Sequence, residues 1–87
     1  MNTERTLKRG QLATAEHEAK QGAIKIDRLK REMRMYLSTA DSPDLLQADK
    51  VAQMTTELVE AHRDYERSLT LIGALREELG LPRYEAR

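Results

Sequence analysis

The amino-acid sequence predicts an all-α protein: two long antiparallel helices forming a helical hairpin, an antiparallel coiled coil expected to dimerise into a four-helix bundle. Three observations lead there. Val51, Met54, Leu58, Ala61, Tyr65, Ser68, Ile72, Leu75 and Leu79 recur at alternating steps of three and four, and of these only Ser68 is neither apolar nor aromatic. That is one sealed stripe of a long helix. A second series with the same spacing runs through Leu12, Ala15, Ala19, Gly22, Ile26, Leu29, Met33 and Tyr36. Between them lies the polar stretch Ser38-Thr39-Ala40-Asp41-Ser42-Pro43, a connection short enough to make the two helices antiparallel neighbours.

Each element has its own signals. Helix 1 is expected over about residues 3–38, with Asn2 or Thr3 as its cap and Glu4 at the positive end of the helix dipole. Its seam begins with small residues and continues with large ones. Gly10 and Gly22 each cost about 1 kcal/mol relative to alanine inside a helix. The turn is expected at 39–42 and helix 2 at about 43–79. Proline disfavours helical geometry in the residue before it, which suits Ser42 to cap helix 2 with Pro43 at its first position. Asp41 and Asp44 add favourable negative charge there. The run Leu79-Gly80-Leu81-Pro82 is the pattern of a Schellman stop, and residues 80–87 form a polar tail. Folding at Asp41 sets Lys25 against Glu57 and Glu32 against Lys50, and brings Glu18 near Asp64. It also turns the small Ala15, Ala19 and Gly22 towards the region of Leu58 to Leu69, where Tyr65 needs room.

Composition agrees. Charged residues make up 34% of the 87, and the chain has no Phe or Trp and three Tyr. This is the mixture of long exposed helices rather than of a compact globule, and one domain is all the length allows. The absence of cysteine excludes disulfide and thiol chemistry. No segment approaches the ~20 apolar residues of a membrane span, and no apolar run of the signal-peptide kind follows Met1 to Arg5, so a cytoplasmic location is expected. The net charge of zero conceals an asymmetry. Residues 1–40 hold nine Lys/Arg against five Asp/Glu, and residues 43–79 hold four against eight, as expected of segments that attract each other.

A two-helix hairpin cannot cover all the apolar surface this sequence supplies. Leu45, Leu46, Val59, Leu69 and Leu71 flank the seam of helix 2, and Leu7, Ile24 and Leu37 flank that of helix 1. Pairing two hairpins about a two-fold axis is the economical solution, with Leu58, Tyr65, Leu69, Leu71, Ile72 and Leu75 as the expected interface to a second copy or to another protein. The function expected is therefore that of a small non-enzymatic protein–protein interaction module: adaptor, chaperone or regulator. The alternative is a dimeric nucleic-acid-binding hairpin using Lys20, Arg28, Arg31 and Arg34 on the outer face of helix 1. That ridge lacks aromatic stacking residues apart from Tyr36 at its end, and the pI of about 6.7 lacks a strong basic excess.

His17 and His62 are the only histidines, and the paired Glu-x-x-His pattern of helical di-iron sites is missing; no metal and no cofactor are expected. Neither a nucleophile–base spacing nor a glycine-rich phosphate loop is present, so no catalytic residues and no small-molecule substrate are expected. In layout alone the chain is similar to plasmid RNA-binding hairpin regulators and to small hairpin chaperones of secretion systems, neither of whose motifs it carries.

Overall fold

The computed structural model describes residues 2–40 and 42–83. It is an α-helical hairpin. Helix α1 spans Asn2–Thr39 and helix α2 spans Ala48–Glu78, with a short 3-10 turn at Pro43–Leu45 between them. The helices pack against each other along their length. No strand occurs among the described residues, and no helix is long and apolar enough to cross a membrane.

The seam forms as the periodicity requires. Leu12, Ala15, Ala19, Ile72, Leu75 and Leu79 make one buried cluster, with Tyr65 and Leu69 packed against it. Leu29 and Ala61 are buried nearer the loop. The other seam positions, from Ile26, Met33 and Tyr36 to Val51, Met54 and Leu58, are half-buried. Gly22 lies under Tyr65: a Cβ there would stand 3.4 Å from the Tyr65 ring. A large residue on one helix thus fills the space a small one leaves on the other.

The connection departs from the expected one. Ser42 is extended (φ −131°, ψ 157°) and precedes Pro43, but it introduces only the 3-10 turn and makes no side-chain capping bond. The chain then leaves helical geometry at Leu46 and Gln47, and α2 starts five residues later than Pro43, at Ala48. The detour has a physical reason. It aims the Gln47 backbone N–H at the Tyr36 hydroxyl, 2.9 Å away, so that the start of α2 is tied to α1. The Lys50 ammonium sits 5.0 Å from the centre of the same ring, a cation–π contact. Asp41, expected to support the start of helix 2, lies outside the described residues.

The longer loop shifts the register. Tyr65 faces Gly22, where a fold at Asp41 would have put Glu60. The expected Lys25–Glu57 and Glu32–Lys50 pairs do not form: Glu32 pairs with Arg28 on its own helix at 3.8 Å, and Lys50 is over Tyr36. The ion pairs between helices are Lys8–Glu78 at 3.3 Å and Glu16–Arg76 at 3.5 Å. Both are near the end remote from the loop.

That end is the most densely fastened part of the molecule. Gly80 adopts φ 69°, a left-handed conformation that costs glycine little. Its N–H donates to the Glu77 carbonyl at 3.1 Å, and the Leu81 N–H donates to the Arg76 carbonyl at 2.8 Å. This is the Schellman pair. The Arg5 guanidinium donates across the seam to the Leu79 carbonyl at 2.8 Å, placing positive charge at the negative end of α2. The Arg76 Nε–H donates to the Pro82 carbonyl, which holds the exit of the chain against the hairpin.

Candidate functional site

The molecule measures 64 × 21 × 14 Å. The smallest dimension is little more than the ~10–12 Å diameter of one helix, so the hairpin is a single layer with two open faces. Its radius of gyration is 18.1 Å, against about 12 Å for a compact domain of this length. It exposes 7012 Å², where a compact monomer of its mass exposes about 5,200 Å². Any site must be a surface feature of this layer.

The residues expected to form an interface divide into two groups. Ile72 and Leu75 are buried, 0% and 5% exposed, against Leu12, Ala15 and Ala19 of the same chain. They hold the hairpin together and offer nothing outward. Leu58, Tyr65 and Leu69 are half-buried. Leu71 alone of the six is exposed, at 48%.

Leu71 borders an open groove of about 1120 Å³ along the flank of α1 beside Leu7, Gly10, Gln11, Thr14 and Ala15. Leu7 is 64% exposed within it. The groove exists because the side chains between Leu7 and Leu71 are small: Gly10 has no heavy atom within 4 Å of where a Cβ would stand. A smaller depression continues it past Glu18, Gly22 and Tyr65 to Asp64. The interface expectation centred on α2 missed this α1 surface. The signal that could have found it is the run of small residues at four-residue spacing, Thr6, Gly10 and Thr14, which opens a helix flank.

On the outer face of α1, Lys20, Arg28, Arg31 and Arg34 are all exposed. Arg28 is engaged by Glu32, while Lys20, Arg31 and Arg34 have no ion pair among the described residues. His62 pairs with Glu66 at 2.9 Å, one turn along α2. With Gly22 opposite Tyr65, His17 lies nearer the remote end of the hairpin than His62 does. Among the described residues no group of three or more His, Asp or Glu converges as a metal site would require. The pKa of Lys8 is raised above the ordinary 10.5, first by its hydrogen bond to Glu78 and then by the charges of Glu78 and Glu4. Its role is in fastening the helices.

No family model, no curated protein and no solved structure matches the chain.

Proposed function

We propose that this protein is a non-enzymatic helical-hairpin interaction module, an adaptor, chaperone or small regulator of the cytoplasm, that self-associates and binds protein through the faces of its single layer. The observation that carries the reading is the surplus surface: 7012 Å² on a chain of 10.0 kDa, with Leu7, Ile24, Met35, Leu45 and Leu71 between 48% and 66% exposed. Apolar side chains so exposed on a layer little thicker than one helix are stabilised by a covering partner. The test is molar mass in solution by light scattering across a dilution series. Twice the chain mass at high concentration, falling on dilution, is the expected result. A chain mass of 10.0 kDa throughout overturns self-association.

A second reading rests on Lys20, Arg31 and Arg34, exposed along one ridge without carboxylate partners among the described residues. Such a ridge suits the phosphates of a nucleic acid. It requires salt-sensitive binding to RNA or DNA that is lost when Arg28, Arg31 and Arg34 are changed to Ala while the melting temperature is kept. Absence of any such binding removes it.

A further inference from the structure

We infer that the flank carrying Leu7, Gly10, Thr14 and Leu71 is the seat of a second copy of this chain, laid so that α1 of each copy meets α2 of the other. The inference rests on the self-associating reading above and gives it a surface and a sense.

Leu7 and Leu71, both exposed, line the groove together with Gly10, Ala15 and the threonines Thr6 and Thr14. Gly10 is the informative member, because it lines the groove and the hairpin has no use for it; Gly73 is equally open but lies outside the groove. Two other glycines are accounted for inside the chain: Gly22 receives Tyr65, and Gly80 adopts the left-handed turn. An alanine at position 10 would touch nothing in this chain and would favour the helix. A glycine kept on an open helix flank lets the backbone of another helix approach closely, as helix pairs do across small residues.

The area is sufficient for a partner of this size. Over all its faces the hairpin exposes on the order of 1,800 Å² more than a compact monomer of its mass, against the ~800 Å² per partner that a standard stable interface takes. Charge selects the partner. The ion pairs between helices use only the end remote from the loop. Lys25, Arg31 and Arg34 on basic α1, and Glu57 and Glu60 on acidic α2, have no ion-pair partner among the described residues. A second copy brings an acidic helix to the unpaired basic one and receives the reverse, so both contacts are satisfied by the same two-fold operation. Seating α1 against α1 would oppose like charges.

Sedimentation equilibrium of the full chain tests this, with far-UV circular dichroism as the folding control. Leu7→Lys and Leu71→Lys alter exposed side chains and should leave helicity intact while reducing the dimer to monomer. Leu45→Lys, 59% exposed in the turn and outside the groove, should leave the dimer as it is. Gly10→Ala should raise the melting temperature of the isolated hairpin and raise the dimer Kd by about tenfold or more, the loss of roughly 1.4 kcal/mol. Salt supplies the sense: affinity should fall as salt rises. Dimers that survive both Leu7→Lys and Leu71→Lys overturn the surface while self-association stands, and so does loss of the dimer in Leu45→Lys alone. Affinity that strengthens with salt overturns the α1-to-α2 seating. A wild-type chain that stays monomeric removes the self-association reading itself, and this inference with it.

Discussion

Ile72 is the sharpest point at which the packing can be challenged, because among the described residues it is the one large side chain with no exposure at all. Changing it to Ala removes Cγ1, Cγ2 and Cδ1 from contact with Leu12, Ala15, Ala19 and Leu75. At ~0.8 kcal/mol per buried methylene-sized group, the transfer loss is about 2.4 kcal/mol. A rigid cavity would add up to ~2 kcal/mol more at about 24 cal/mol per Å³. In a layer 14 Å thick little material fixes the walls, so the cavity term should stay small and the total should be about 3 kcal/mol. Leu58, on the same stripe but half-buried, should lose only about 1–2 kcal/mol on the same truncation. The assay is urea unfolding followed by circular dichroism, at concentrations where light scattering gives the chain mass, with the m-values compared to confirm that the same surface unfolds. A loss below about 1 kcal/mol at Ile72, or a larger loss at Leu58 than at Ile72, would refute the placement of the core.

Three further outcomes follow from particular contacts. Gly22→Ala should stabilise the hairpin by about 1 kcal/mol, since the added methyl meets Tyr65 at an ordinary 3.4 Å, whereas Gly22→Leu should destabilise it by forcing Tyr65 out; thermal melts of the two variants decide. Gly80→Ala should cost about 1–2 kcal/mol by placing a Cβ in a left-handed residue, read from the urea midpoint. Because the Lys8 pKa is raised by Glu78 and Glu4, the stabilisation it provides is fully present below pH 10.5 and is lost as pH rises through its folded value. The stability difference between wild type and Lys8→Met should therefore be constant at neutral pH and close above pH 10.5.

Much of the fold is legible in the sequence because its determinants are local and periodic. The two seams are read directly from the three-and-four spacing, and every position of both is buried or half-buried. The Schellman stop needs only Gly80 and its neighbours, and it forms with both of its hydrogen bonds. The fit of Tyr65 to Gly22 was open to inference from side-chain size. The start of α2 was not. It depends on a hydroxyl eleven residues away, Tyr36, capturing the Gln47 N–H, and local capping signals at Ser42 and Pro43 carry no trace of that bond. Register followed from the same detour, which is why the flanking charge pairs do not form and Ala15 and Ala19 pack with Ile72 and Leu75 rather than with the region of Leu58 to Leu69, although the seam positions themselves are the expected ones. The candidate site was the least legible part. A face is defined by which seam positions the partner helix consumes, and this removed Ile72 and Leu75 from the outward set and set Gly10 beside Leu7, whose place outside the seam is legible in the sequence.

The fastenings are unevenly distributed, and this sets an order of opening. At the end remote from the loop, Leu12, Ala15, Ala19, Ile72, Leu75 and Leu79 are buried together, and Arg5, Lys8 and Arg76 tie the helices with one backbone hydrogen bond and two ion pairs. Towards the loop, only Leu29 and Ala61 are buried, and the polar ties reduce to the Tyr36 hydroxyl on Gln47 and Lys50 over its ring. Local opening costs less where fewer apolar contacts must be broken. Native-state hydrogen exchange should therefore show lower protection at residues 26–36 and 51–58 than at residues 12–22 and 65–75, even though all four segments are uninterrupted helix. Helix propensity does not produce this ordering, since Gly10, Gly22 and Gly73 all fall in the half expected to be better protected. Equal protection in the two halves, measured where the chain is monomeric, would mean that the half-buried layers near the loop hold as firmly as the buried ones, and that exposure is a poor guide to where this hairpin is strong.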